Sequence, residues 1–194
     1  LSHPNATYRY LSAKGFSSFT PPGLRDTLVS KLNDPVPEVV AAVAHALGQL
    51  RDPEAGEALT KAFVKRDSVG RWLMTNQNIL EAIGKIAGQR AHDQIASVTT
   101  YLPQDTMLVL GQARALFHFS NRQIVSESGV LRCVELMNKE KYPQNIRLYA
   151  AHYLANTPDE MISTRADTIL SLLKIEEDVD IQVPIIKAAA KSGN

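Results

Sequence analysis

The sequence predicts an all-α protein, a right-handed α-solenoid of about five helix pairs. Three observations predict this fold. A helix-face pattern of apolar residues returns about every 35 residues, prolines and aspartates fall between the helical segments, and no alternating β-branched run is bounded by hairpin turns. A two-helix unit of this length cannot bury its apolar stripe alone, so successive units must stack on one another.

The repeated pattern is a set of four positions, at i, i+4, i+7 and i+8, that share one helix face. Its five copies end at residues 47, 83, 117, 154 and 189, at spacings of 36, 34, 37 and 35 residues. We expect each set to lie on the first helix of a pair. The sets are Val39, Val43, Ala46, Leu47; Thr75, Ile79, Ala82, Ile83; Val109, Ala113, Leu116, Phe117; Ile146, Ala150, Tyr153, Leu154; and Ile181, Ile185, Ala188, Ala189.

Shorter apolar patterns between these sets predict the second helix of each pair. Prolines lie at or between the helix ends, where this residue is tolerated. The second-helix patterns are Leu24, Leu28, Leu32; Ala55, Leu59, Ala62, Phe63; Ala91, Ile95, Val98, Leu102; Leu131, Val134, Met137; and Ala166, Ile169, Leu170, Leu173.

The two ends of the sequence depart from the regular pattern. Residues 1–20 match it only at Tyr10 and Leu11, so we expect a weak capping helix there. The array occupies residues 21–194, and its last repeat has only its first helix. An array that stops there leaves an apolar face uncovered, and we therefore expect the natural protein to extend beyond Asn194.

Composition and motifs argue against several classes of function. The 21 basic and 20 acidic residues give a net charge of +1, which disfavours a general electrostatic grip on nucleic acid. The single cysteine, Cys133, lies in an apolar helical pattern and is expected to pack as a small hydrophobe. No apolar run reaches the ~18 residues that span a bilayer. We find no nucleophile elbow, phosphate-binding glycine loop or zinc-protease motif, so we predict no catalytic residue, metal or cofactor.

The segment 34–55 resembles a HEAT repeat of the short bacterial type. It has Asp34-Pro35 before the first helix, Ala46-Leu47-Gly48 at the end of that helix, and Asp52-Pro53-Glu54-Ala55 at the turn. The arginine usual within the first helix is replaced by Val40, but Arg147 restores it in a later repeat. This resemblance covers most of residues 21–194 and implies a scaffold. The His-Glu pairs of the HEAT-like deoxyhypusine hydroxylases are absent, which disfavours that activity.

In such a solenoid the second helices line the concave face, where we expect a protein or peptide partner to bind. The residues predicted to point outward there are Arg25, Lys61, Lys65, His92, Arg132, Glu135 and Arg165. We call this set the predicted ridge. The sequence leaves three interpretations of the ridge open. It is a simple solvated face, a groove for an acidic segment, or a nucleic-acid surface, although the net charge argues against the last. Trp72 beside Arg71 is a second candidate, since exposed tryptophan and arginine often anchor interfaces.

A narrower resemblance concerns residues 124–159. With the glycine-ended first helices, they look like the HEAT portion of long bacterial proteins that carry a cyclophilin-type prolyl isomerase domain. That resemblance implies a partner-positioning module, in the periplasm or cell envelope rather than the cytoplasm, with the isomerase residues outside this chain. The competing class is a HEAT-like enzyme of the DNA glycosylase or phycobilin lyase type. The sequence leaves the oligomeric state open.

Overall fold

A computed structural model of the chain describes residues 1–19, 21, 23–63, 67, 69–102 and 104–191. These residues form α-helices and two short 3-10 turns, with no β-strand among them. The chain divides into two compact units, residues 1–91 and 92–194, which are described separately. The helices are α1 (Ala6–Gly15), α2 (Leu24–Ser30), α3 (Pro37–Leu50), α4 (Gly56–Ala62), α5 (Leu73–Ile86), α6 (Gln89–Ala96), α7 (Thr106–Ser120), α8 (Glu127–Leu136), α9 (Gln144–Asn156), α10 (Asp159–Ser163), α11 (Ala166–Ile175) and α12 (Val179–Ala190).

In the first unit, α3 lies between α1 and α5, and the shorter helices α2 and α4 pack against α3 and α5. The α3–α5 contact is the most extensive of these. It is close because Gly48 has no side chain. A Cβ at that position would lie 3.1 Å from the Cα of Ala82 and 3.2 Å from its Cβ. The glycine therefore allows the two helix backbones to approach each other.

In the second unit, α9 lies between α7 and α12. Helix α8 packs on α9, and α11 packs on α12. The five-residue helix α10, which the sequence pattern did not predict, follows α9 and precedes α11 in the sequence, and it contacts α8. Each unit thus repeats one arrangement: first helices side by side, with second helices against them.

The predicted first-helix sets form the centre of both units. Every position in the five sets is buried except Phe117, which is half-buried. The ring of Phe117 instead packs against Tyr149 and His152, at 5.4 Å and 5.7 Å between ring centroids. The predicted all-α fold and the spacing of the first helices are confirmed.

Two of the finer expectations are wrong. On α8 the predicted Leu131 is 48% exposed, and the neighbouring Val130 and Cys133 are buried in its place. On α1 the predicted Leu11 is 55% exposed, and Ala13 is the buried residue. Both helices carry apolar residues on more than one face, so periodicity alone does not select the side that packs.

Two arginine–carboxylate pairs join successive first helices. Arg9 on α1 donates from Nε and Nη2 to Asp34, at 2.7 Å and 2.9 Å. Arg147 on α9 donates in the same way to Glu176, at 3.0 Å and 3.2 Å. Each acid stands three residues before the next first helix, α3 or α12, and both pairs are largely buried. Such forked pairs fix orientation as well as distance.

The Tyr153 hydroxyl organises a buried cluster in the second unit. It accepts a hydrogen bond from the backbone N–H of Ser126 (3.1 Å) and lies 3.0 Å from Nε2 of His92. Burial raises the pKa of Tyr153, so the phenol stays neutral. Helix α8 crosses this hydroxyl at Gly129, where a Cβ would lie 2.7 Å from Cζ of Tyr153 and still closer to its oxygen. The cluster therefore requires glycine at that position.

We predict that Gly129→Ala lowers the free energy of unfolding by about 2–4 kcal/mol, because the added methyl overlaps a buried ring. Chemical denaturation measures this change. Helix propensity alone would instead favour alanine by ~1 kcal/mol. Gly15→Ala is the matched control, since nothing lies within 4 Å of a Cβ there. A Gly129→Ala protein as stable as the original chain would contradict the packing described.

The Arg147–Glu176 pair predicts acid sensitivity. Burial alone would raise the pKa of Glu176, but hydrogen bonds from Arg147 and from the N–H groups of Glu177 and Asp178 outweigh it and lower this pKa. The pair's stabilisation is therefore complete above the ordinary glutamate pKa of about 4.3 and is lost as the pH falls through the lowered value.

We expect Glu176→Gln to cost about 2 kcal/mol of unfolding free energy at pH 7 and to flatten the loss of stability below pH ~4. Denaturation curves from pH 3 to pH 7 test both effects. The exposed Glu140 gives the control, Glu140→Gln, which should change neither. Parallel pH profiles for Glu176→Gln and the original chain would show that the pair does not contribute.

Candidate functional site

The first unit places two residues of the predicted ridge on its second helices. Arg25 on α2 forms ion pairs with Asp26 (2.9 Å), Asp52 (3.2 Å) and Glu54. Lys61 on α4 pairs with Glu57 one turn earlier, at 2.6 Å, and both side chains are exposed. Lys65 lies outside the described residues. The two described cations are therefore matched by acids from their own surroundings.

In the second unit, two ridge residues do not point outward, and that expectation is corrected. His92 is fully buried beside Tyr153, and Arg132 is 2% exposed. Arg165 is half-buried and pairs with Glu127 at 3.1 Å. Glu135 is exposed, as predicted. Only part of the predicted ridge is therefore available to a partner.

Arg132 is held by a buried polar network. Its Nε donates to Oε1 of Gln112 (3.0 Å), and its Nη1 donates to Glu135 (2.7 Å). The Gln112 amide nitrogen in turn donates to the carbonyl oxygens of Ile95 and Val98, at 2.7 Å and 2.8 Å. These bonds tie α8, α7 and the end of α6 together. We assign Arg132 a structural role in this network.

The ion pairs on the predicted ridge reduce the positive charge that it presents to a partner. Each of its described arginines and its described lysine contacts a carboxylate, so no uncompensated basic stripe runs along these helices. Exposed ion pairs of this kind contribute little to stability and present both signs of charge to solvent. Binding of nucleic acid, which relies on neutralising many phosphates with free cations, is not favoured here.

The Arg71–Trp72 site lies at the start of α5. Trp72 is half-buried and Arg71 is exposed. The backbone N–H groups of both residues donate to the carboxylate of Asp67, Trp72 at 2.7 Å and Arg71 at 3.0 Å. The turn that presents both side chains is thus held by one aspartate. Their role as an interface anchor stays a prediction.

The first unit also has a concave feature that the sequence did not reveal. A groove of about 550 Å³ runs over α3 between α1 and α5. We call it the α3 groove. Its lining residues are Ala6, Thr7, Tyr10 and Lys14 on α1; Val36 before α3; Glu38, Val39, Ala41, Ala42 and His45 on α3; and Met74 and Asn78 on α5.

Side-chain size creates the α3 groove. Ala41 and Ala42 keep the surface of α3 low, whereas Tyr10 on α1 and Met74 on α5 stand on either side. Met74 is 50% exposed, so its side chain is available for contact with a partner. An apolar floor between two larger walls is suited to receiving aliphatic or aromatic side chains.

Charges of opposite sign mark the two ends of the α3 groove. Glu38 lies in the first turn of α3, and no ion pair to it is found among the described residues. Lys14 lies near the other end, with its Nζ 5.7 Å from the centroid of the Tyr10 ring. Burial and the nearby Lys85 lower the pKa of His45, which keeps that ring neutral at pH 7. The positions of Glu38 and His45 are two helical turns apart, about 10 Å.

Two findings concern metal binding and thiol chemistry. No three histidine, cysteine, aspartate or glutamate side chains among them gather as metal ligands. Burial raises the pKa of Cys133, so its thiol stays protonated and is a poor nucleophile. In the part of the chain that the structure describes, no helix is both long and apolar enough to cross a membrane.

Comparison with known proteins agrees with this architecture. Residues 1–76 match the family of HEAT repeats. A search of curated protein sequences gives no match. Among solved structures, a designed armadillo repeat protein is similar at a TM-score of 0.59 and 14% identity, covering 98% of this chain and 96% of that one.

Two engineered proteins from a structural genomics programme are also similar. One has a TM-score of 0.65 at 18% identity, covering 100% of this chain and 93% of its own length. The other has a TM-score of 0.63 at 17% identity, covering 100% of this chain and 56% of its own. Identities this low speak to the fold alone. With the paired helices described above, these matches show that the chain folds as a HEAT-like α-solenoid.

Proposed function

We propose that this chain is a non-catalytic protein-binding scaffold, and that its first unit holds a peptide segment of a partner in the α3 groove. The observation that carries the proposal is an open apolar groove whose two ends bear opposite charges. Its volume of about 550 Å³ lies within the range of ~300–1,000 Å³ that is common for ligand pockets.

The chemistry of the α3 groove suggests how a peptide would lie. Apolar side chains at helical or alternate spacing would enter between Tyr10 and Met74, which gives affinity through burial. A basic group of the peptide would sit near Glu38 and an acidic group near Lys14, which gives direction. These groups project from the packed helices α1, α3 and α5 rather than from loops, which would reduce the entropic cost of binding.

The predicted ridge is retained in this proposal as a further contact surface within each unit. In the first unit it consists of Arg25 and Lys61, with Lys65 kept as a prediction, and in the second unit it consists of Glu135 and Arg165, without the buried His92 and Arg132. Its mixed charges suit a partner segment with both acidic and basic residues rather than an acidic one. Arg71 and Trp72 would extend contact at the start of α5.

The sequence resemblance to cyclophilin-bearing bacterial proteins supports a finer proposal. The scaffold would position substrate for a prolyl isomerase domain carried elsewhere in its protein. Isomerase activity in the protein purified from its source, and none in this chain, would support that arrangement. Repair of alkylated DNA or attachment of a bilin by this chain would instead favour the competing enzyme class.

A selection of peptides tests the α3 groove directly. Twelve-residue peptides displayed on phage are selected on the purified chain. The selected peptides are then synthesised, and their dissociation constants are measured by fluorescence anisotropy. We expect the selected peptides to have two or more large apolar residues flanked by opposite charges. Ala42→Arg, which fills the floor, and Met74→Ala, which removes a wall, should each weaken binding at least about tenfold.

Leu11→Arg provides the matched control, because this exposed residue of α1 does not line the α3 groove. It should leave the dissociation constant within about twofold. Met74 is half exposed, so its truncation tests the site without endangering the fold. If the selected peptides bind the Ala42→Arg and Met74→Ala proteins as tightly as the original chain, the α3 groove is not the binding site.

A further inference from the structure

Helix α12, in the second unit, carries an exposed apolar stripe. Val179, Val183 and Ile186 are 66%, 61% and 52% exposed. Their spacing of four and then three residues places them on one line along the helix, and the exposed Ala190 continues it. The opposite side of the same helix, which includes Ile181 and Ile185, is fully buried. The helix is therefore apolar on two opposite faces, and the described residues cover only one of them.

Two charged residues run along one edge of this stripe. Asp180 and Lys187 are both exposed and stand seven residues apart, which is close to two helical turns. They therefore lie on the same side of the stripe, one near each end. No ion pair to either side chain is found among the described residues. The edge thus has a negative end and a positive end.

We propose that this stripe binds a second copy of the chain, with the two α12 helices packed antiparallel about a two-fold axis. Antiparallel packing reverses one helix, so each edge meets the same edge of the other copy. Asp180 of each copy then faces Lys187 of the other, and the symmetry makes two such pairs. Parallel packing would instead set the edge with Asp180 and Lys187 against the opposite edge of the other copy, so neither pair would form.

The size of the stripe sets the strength of the association. One face of a twelve-residue helix buries less than the ~1,200 Å² at the lower end of standard stable interfaces. The dimer is therefore weak, with a dissociation constant on the order of 100 μM. The surface is separate from the α3 groove, so this inference does not depend on the proposed peptide binding.

Sedimentation equilibrium of the purified chain from 10 μM to 2 mM tests the pairing. We expect the average mass to rise from monomer toward dimer over this range. Val183→Glu, on an exposed position, should weaken the dimer at least tenfold. Leu131→Glu removes an apolar residue on α8 that is 48% exposed, against 61% for Val183, and should have no effect. A chain that stays monomeric at 2 mM, or that forms assemblies larger than the dimer, would overturn the proposal.

Charge exchange tests the antiparallel direction. Asp180→Lys places like charges opposite each other and should weaken the dimer about fivefold to tenfold. The double variant Asp180→Lys with Lys187→Asp restores both pairs and should return the dissociation constant to within about twofold of the original. Circular dichroism checks that each variant keeps its helices. If the single change has no effect, or the double change does not rescue it, the antiparallel pairing is wrong.

Discussion

The structure depends on first helices that must be covered on both sides. Within the first unit α3 lies between α1 and α5, and within the second α9 lies between α7 and α12. A helix in that position needs small residues where a neighbour comes close, which explains the alanines of α3 and the glycine at position 48. The second helices, the arginine–carboxylate pairs and the α3 groove all take their places from this stacking.

Much of this stacking could be predicted because the first helices bury a wide face. The i, i+4, i+7, i+8 sets located them, and nearly every member is buried. The second helices bury a narrower face, so one residue of register decides which side packs. On α8 both Val130 and Leu131 are apolar, and the side that packs also carries Gly129, which meets Tyr153, 24 residues further along the chain. Local periodicity carries no such long-range information.

The candidate site was harder to predict, because the contacts that define it also join residues far apart in the sequence. Apart from the adjacent Asp26, the carboxylates that pair with Arg25 and Arg165 lie 27 to 38 positions away in the sequence, so the ridge looked more basic than it is. His92 and Arg132 are polar and were expected outside, but specific hydrogen bonds to distant residues bury them. The α3 groove exists only through the separation of α1 and α5 across α3, which no property of one segment records.

The contact between Gly129 and Tyr153 has a consequence for how this sequence can change over time. A repeat array normally tolerates drift in one repeat without adjustment in the next. Here the missing side chain on α8 and the phenol on α9 occupy a single shared volume. A larger residue at position 129 is acceptable only after the ring at 153 has become smaller, and the reverse order leaves a cavity. We therefore expect these two positions to be substituted together among descendants of this sequence, as a linked pair within an otherwise permissive scaffold.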